Sequence, residues 1–274
     1  VSGPSFQLWL EQWDLVPDGE PFVTDHTGSL LLPVRHGGAP AILKIASAPE
    51  EIAGGALMEW WNGEGAARVL ARQGEALLLE RAMGTASLAD MAGNGRDDDA
   101  TAIICAAAER LHSSRGKPAP TSLAPLDVWF RQLAPTAAAH GGILAKAAAV
   151  AKTLLAAPRD VVPLHGDIHH GNILDFGPRG WLAIDPKGLL GERGYDYANT
   201  FCNPDAAVAL QPGRLQRRLG MVAQRSGQDP RRVLQWILAY SALSAAWIIE
   251  EPLNGETPDA RLAIAELAAA ELGL

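Results

Sequence analysis

The sequence predicts an α+β fold of two lobes, a small antiparallel-sheet lobe over residues 1–82 and a larger, mainly helical lobe over residues 83–274. Three observations predict it. Short apolar runs separated by turn residues fill the first third of the chain, alanine-rich windows dominate from residue 101 onward, and two short apolar runs flanking Gly177-Pro178-Arg179 interrupt the helical part.

Taken in order, Phe22-Val23, residues 29–34 and residues 41–45 read as strands, the last two joined by Gly37-Gly38-Ala39-Pro40. After Pro49, residues 50–61 lose the alternation and read as a helix. Glu50 and Glu51 fall in its first turn, where the positive end of the helix dipole favours carboxylates, whereas Gly54 and Gly55 run against helix propensity. Another strand is expected at 76–80, with the lobe boundary near 82–84. Residues 101–112 and 126–156 read as helices, and 172–176 with 180–184 as a hairpin carrying polar residues at its ends. From Pro204 the chain returns to helix, with a nearly all-apolar helix over 232–250 and an Ala/Leu helix to the C-terminus. The longest apolar stretch, 233–249, is interrupted by Gln235, Tyr240, Ser241 and Ser244 and is shorter than the roughly 20 residues of a membrane span, so a buried helix is expected and no membrane contact.

Composition narrows the function. With 23 Lys and Arg against 31 Asp and Glu, the net charge of -8 argues against a nucleic-acid partner and favours a neutral or cationic small molecule. Cys105 and Cys202 stand far apart with no metal-binding spacing, and Val1-Ser2-Gly3-Pro4 lacks the basic and apolar regions of a secretory signal. The expectation is a cytoplasmic protein and, by default, a monomer.

The chemistry is concentrated in His165-Gly166-Asp167-Ile168-His169-His170-Gly171-Asn172, followed thirteen positions later by Asp185 in Ile184-Asp185-Pro186. Kinase catalytic loops place an Asp that accepts the substrate hydroxyl's proton five residues before an Asn that holds magnesium, with a second metal-binding Asp after a hairpin. Asp167, Asn172 and Asp185 stand at those three stations. Phosphoryl transfer needs a carboxylate aimed at the attacking oxygen and hard oxygen ligands for Mg2+, and these residue types supply both.

The runs HGDIHHGNIL, WLAIDPKGLLGERGYDYAN, WWNGEGAARVL, LLLERA and SAAW at 244–247 resemble the aminoglycoside phosphotransferase family, in particular its streptomycin 6-kinase and hydroxyurea kinase branch, over almost the whole chain. That resemblance implies a protein-kinase-like two-lobed fold, ATP as phosphoryl donor with Mg2+, and a small-molecule acceptor. Streptomycin is the first acceptor it suggests, and hydroxyurea or another metabolite the second. It also implies residue roles. Lys44 matches the strand lysine that reaches the donor phosphates, and Glu51, or its neighbour Glu50, matches that lysine's helix partner. Asp25-His26-Thr27-Gly28-Ser29 occupies the place of the phosphate-covering loop without a GxGxxG pattern, so backbone amides or the Ser29 hydroxyl become the candidate contacts. The Glu80 carbonyl and Ala82 amide match the hinge that meets the adenine edge, and Asp196 matches a carboxylate that braces the catalytic loop. Glu192, Trp247, Glu250 and Glu251 are candidate contacts for a cationic acceptor, since carboxylates beside an aromatic ring suit guanidinium or ammonium groups.

Two competing readings are less economical. A transition-metal cluster of His165, His169 and His170 with Asp167 leaves Lys44 and Asp185 without a role, and a nucleotide-binding pseudokinase has no need to retain the base Asp167. Trp247 in so apolar a helix also reads as core, and Glu250 and Glu251 as a solvated helix end.

Overall fold

In the computed structural model, which describes residues 6–24, 27–252 and 257–274, the alternating runs of the first lobe assemble into one antiparallel sheet. Helix α1 (Phe6–Gln12) is followed by β1 (Leu15–Pro17), β2 (Phe22–Val23), β3 (Leu30–His36), β4 (Ala39–Ile45), α2 (Pro49–Trp61), β5 (Val69–Gln73) and β6 (Ala76–Glu80). The strand order is β1-β3-β4-β6-β5, with β2 also pairing β3.

The two-residue period of β4 divides its side chains between the faces of the sheet. Ala41, Leu43 and Ile45 join Trp9, Leu15, Leu32, Val34, Ala76 and Leu78 in a small core against α1. Ile42 and Lys44 point the other way, into a cleft. Strand β5 was not expected from the sequence. As an edge strand with only one neighbour it shows no apolar alternation, and a register shift lies between Val69 and Ala71.

The second lobe comprises α3 (Leu88–Gly93), α4 (Asp97–His112), β7 (Ala124–Pro125), α5 (Leu126–Trp129), α6 (Leu133–His140), α7 (Gly142–Ala156), β8 (Val161–Leu164), β9 (Ile173–Asp175), β10 (Trp181–Ala183), β11 (Leu189–Glu192), α8 (Gly194–Ala198), α9 (Ala206–Ala209), α10 (Arg214–Ser226), α11 (Pro230–Glu250) and α12 (Asp259–Leu272). The single helix expected over 126–156 is broken by a 3-10 turn at Phe130–Gln132 and by Gly141 and Gly142. Both glycines take positive φ, 65° and 56°, which α-helical geometry excludes. Helix α11 extends beyond the expected apolar stretch and is long and apolar enough to cross a membrane, yet it is mostly buried and packs against α7, α8 and α12.

The β9–β10 hairpin sits at the junction of the lobes. Ala67 N donates to Ala183 O and Ala183 N to Gly65 O, both at 2.9 Å, and Gly84 N donates to Asp175 O at 2.9 Å. Segments flanking the N-terminal sheet therefore hold the hairpin on both sides, and the residues at its ends face the cleft.

Candidate active site

The cleft, a cavity of about 420 Å3, lies between the inner face of the sheet, helix α2 and the hairpin. Its apolar walls include Leu31, Ile42, Met58, Leu77 and Leu79 from above and Leu174, Phe176 and Ile184 from below, a slot suited to a flat ring. Glu80 and Ala82 line one end; Lys44, Glu51, Asn172 and Asp185 line it as well. The Glu80 carboxylate is bound by Arg179 and by the Arg68 amide at 2.6 Å, so the residue ties the sheet to the hairpin while its backbone borders the cleft.

Lys44 Nζ pairs with Glu51 Oε1 at 2.9 Å and with Asp185 Oδ1. Glu51, not Glu50, makes the pair and is buried. Burial alone would raise the Asp185 carboxyl, but Lys44 and Lys187 outweigh it and hold its pKa below the ordinary carboxylate value. Asp185 also sits in left-handed backbone geometry, φ 58°, a conformation that costs free energy and persists only where its surroundings impose it.

Gly54, which runs against helix propensity in α2, has its reason in the packing. A Cβ there would lie 1.9 Å from the carbonyl oxygen of Pro186, so α2 approaches the Asp185-Pro186 backbone more closely than any side chain permits. Gly54→Ala is expected to push α2 away from this segment and separate Glu51 and Lys44 from Asp185. The overpacking should cost about 1–3 kcal/mol of stability and lower phosphotransfer at least about tenfold, read by thermal melting and steady-state kinetics.

The loop from His165 to Asn172 is held from beneath. Asp196, at the start of α8, accepts from Gly166 N at 2.7 Å and His165 N at 2.9 Å, and His112 Nε2 lies 2.8 Å from the same carboxylate. His165 donates from Nε2 to Ile184 O at 2.8 Å and accepts the Asp167 amide on Nδ1 at 3.2 Å, which links the loop directly to the residue preceding Asp185. Burial lowers the His165 pKa, so the ring is neutral, as this pattern of one donor and one acceptor requires. Gly166 adopts φ 84°, and a Cβ there would come within 2.7 Å of Leu189.

His170 faces away from the cleft into a buried cluster in which Arg214 and Arg218 share Asp97 at 2.9 to 3.1 Å. Burial, then the two guanidinium charges, push its pKa down to about 2. Of the three histidines only His169 turns toward Asp167, its Nε2 3.9 Å from Oδ1, while His165 is bound to Ile184 O and His170 lies beside Arg218. Among the described residues, no three His, Cys, Asp or Glu side chains gather as a transition-metal site would need.

Asp167 stands beyond Asn172, about a quarter exposed, with its carboxylate held at both oxygens. Asn199 Nδ2 donates to Oδ1 at 2.7 Å, and Asn172 Nδ2 donates to Oδ2 at 3.2 Å. Lys187 Nζ lies 3.7 Å from Asp167 Oδ2 and 3.8 Å from Asp185 Oδ2. Burial disfavours its charge, yet the two carboxylates outweigh that and raise its pKa. The sequence reading missed Asn199, which lies one turn after Asp196 and carries no motif of its own.

Several sequence-based expectations need correction. Ser29 is fully buried: its hydroxyl bonds the Glu51 carboxylate and accepts the Ser47 amide at 3.0 Å, and its own amide donates to Thr24 Oγ1. It supports Glu51 instead of reaching into the cleft, and Asp25 and His26 of the same loop lie outside the described residues. Glu192 points inward from β11, where Arg232 donates to both its oxygens at 2.8 and 2.6 Å and Trp236 Nε1 to one at 2.8 Å, so no oxygen is left for an acceptor. Trp247 packs edge-on against Trp129, ring centroids 5.4 Å apart; Glu250 accepts from Thr136 Oγ1 at 3.1 Å, and Glu251 lies exposed beyond α11. These three lie outside the lining of the donor cleft, as Asp167 itself does.

The chain matches, over residues 12–251, the model of a family described as aminoglycoside/hydroxyurea antibiotic resistance kinase. It is 54% identical over 245 residues, 88% of this chain and 91% of the relative, to a streptomycin 3''-kinase of Klebsiella pneumoniae. To a streptomycin 6-kinase of Streptomyces griseus it is 30% identical over 271 residues, 94% of this chain and 86% of the relative. Among solved structures, aminoglycoside phosphotransferase APH(4)-Ia in a ternary complex with ADP and hygromycin B shares the fold, with a TM-score of 0.60 at 13% identity over 97% of this chain and 96% of that one. The fold is therefore the protein-kinase-like one, and the chain is a phosphotransferase that belongs to the aminoglycoside/hydroxyurea antibiotic resistance kinase family.

Proposed function

We propose that this phosphotransferase moves the γ-phosphoryl group of ATP, with Mg2+, to a hydroxyl of streptomycin. The observation that carries the reaction is the row formed by Glu51, Lys44, Asp185 and Asn172 along the cleft, ending at Asp167, which keeps a partly exposed carboxylate beyond it. The apolar slot between Leu77, Leu79, Leu174 and Phe176 takes the adenine ring, with the Glu80 carbonyl and the Ala82 amide at its edge.

Lys44, positioned by Glu51, binds the donor phosphates, as the corresponding ion pair does in kinase folds generally. Asn172 spends its amide nitrogen on Asp167, which leaves its amide oxygen as a hard donor in the same cleft as the ionised Asp185 carboxylate; this oxygen set fits Mg2+. When bound, Mg2+ neutralises phosphate charge during transfer. Asp167 orients the acceptor hydroxyl and takes its proton, with Asn199 fixing the carboxylate's rotation.

Streptomycin as acceptor is supported by the streptomycin kinases among the relatives, and the higher identity to the 3''-kinase favours the 3'' position over the 6 position. The net charge of -8 suits a cationic acceptor. The test is incubation of the protein with ATP, MgCl2 and streptomycin, followed by mass spectrometry and NMR of the product. A product one phosphoryl group heavier, substituted at 3'', is expected. Substitution at the 6 hydroxyl would correct the position, and phosphorylation of hydroxyurea alone would move the chain to the other acceptor in the family description.

A further inference from the structure

The geometry points to Lys187 as a second catalytic cation of this site, one that hydrogen-bonds the transferring phosphoryl group between Asp167 and Asp185. This inference rests on the proposed function. Lys44 already has two carboxylate partners, Glu51 and Asp185, and lies against the donor side of the row. Lys187 is placed differently: its Nζ stands 3.7 Å from the Asp167 carboxylate and 3.8 Å from that of Asp185, beyond close hydrogen-bond length from either. The acceptor oxygen must be held by Asp167 and the γ-phosphorus by the groups around Asp185. The space between those two carboxylates is therefore where the phosphoryl group crosses, and Lys187 carries the positive charge located there.

The lysine is also unusually fixed. Its amide donates to His165 O at 2.7 Å, which ties it to the catalytic loop. The next residue, Gly188, has φ 64°, and a Cβ on it would lie 2.9 Å from the backbone of Ala53 and Gly54. Pro186, the residue before it, is the one against which Gly54 packs. The segment Pro186-Lys187-Gly188 is thus clamped between α2 and the catalytic loop, and only 14% of the Lys187 side chain is exposed. A solvating surface lysine has no need of such a mounting. A preorganised donor aimed at a developing charge does, because the gain comes from not having to reorient during the reaction.

In the step itself the acceptor oxygen forms its bond to the γ-phosphorus while the bond from that phosphorus to the bridging oxygen breaks. The electron pair of the broken bond leaves with ADP, and the acceptor's proton passes to Asp167. Lys187 gives up no proton in this balance. Its ammonium donates hydrogen bonds to a non-bridging oxygen of the phosphoryl group, most strongly in the loose transition state, where charge is spread over those oxygens.

The experiment compares the full-length wild type, Lys187→Met, Lys187→Arg and Asp167→Ala. Its readouts are streptomycin phosphorylation, calorimetric affinity for MgADP, affinity for MgADP with aluminium fluoride and streptomycin, and melting temperature. For Lys187→Met, kcat and affinity for the aluminium fluoride complex should each fall on the order of 100-fold, the effect of removing one preorganised donor, while MgADP affinity and melting temperature stay near wild type. Lys187→Arg should recover part of the loss. Wild-type kcat and analogue affinity in Lys187→Met would overturn the proposal, as would a parallel fall in MgADP affinity and melting temperature, which marks a structural role. In both cases an active wild type and an inactive Asp167→Ala keep the proposed function standing. A wild type that phosphorylates no acceptor overturns the two together.

Discussion

Replacing Asp167 by Ala or Asn should lower kcat for streptomycin phosphorylation about 1,000-fold, inside the range of about 100- to 10,000-fold for loss of a positioned acid or base. MgATP affinity should change little. The carboxylate makes two bonds that hold it, to Asn199 and Asn172, and lies beyond the cleft wall, so its removal leaves the Lys44–Glu51–Asp185 row in place. Phosphoryl transfer has a loose transition state in which little proton has moved, so the loss reflects chiefly the acceptor oxygen no longer being aimed at phosphorus. Asn will not rescue. Its NH2 group would face Asn199 Nδ2, Asn172 Nδ2 or Lys187 Nζ, all of which are donors. Steady-state kinetics with calorimetry of nucleotide binding check this: kcat and kcat/KM for the acceptor should fall together, the pattern of an interaction made only in the transition state. Activity within tenfold of wild type would assign the base to another group.

Glu192→Ala should destabilise the folded protein by about 3–5 kcal/mol, because it leaves the buried Arg232 without its counter-ion. Trp236 Nε1 and the Arg159 amide lose their acceptor as well. For a chain of this size the fall in melting temperature should be on the order of 10 °C. Had Glu192 been an acceptor contact, the same substitution would raise the KM for streptomycin and leave melting unchanged, so one pair of measurements separates the two roles.

The pair also sets a pH dependence. Burial alone would raise the Glu192 carboxyl, but Arg232 and Trp236 outweigh it and depress its pKa below 4.5. The unfolded chain therefore binds this proton more readily than the folded one. The stabilisation is fully present above pH 4.5 and is lost as the pH falls through the depressed folded-state value. His170 acts in the same direction at higher pH. Its folded pKa of about 2 against an ordinary 6.5 means that stability declines as the pH drops below 6.5. Melting curves of wild type and Glu192→Ala across this range should converge at the acid end.

The amino-acid sequence by itself determined the α+β architecture, the strand carrying Lys44, helix α2 with Glu51, the hairpin and the spacing of Asp167, Asn172 and Asp185. Each of these is written in local pattern: a two-residue or 3.6-residue apolar period, a turn sequence, or a motif of contiguous residues. What only the tertiary structure decided is which side chains meet across the chain. The Ser29 hydroxyl turns to Glu51, and Glu192 is claimed by an arginine forty residues away. Asn199 reaches back to Asp167, and Lys187 comes to stand between two carboxylates. Gly54 looks like a fault in a helix until the Pro186 carbonyl is seen against it. These outcomes depend on how whole elements pack, and a charged or hydroxyl side chain reads the same in sequence whether it faces a ligand, water or a buried partner. Burial selects among those, because a desolvated polar group must find its partner inside the protein, wherever in the chain that partner lies.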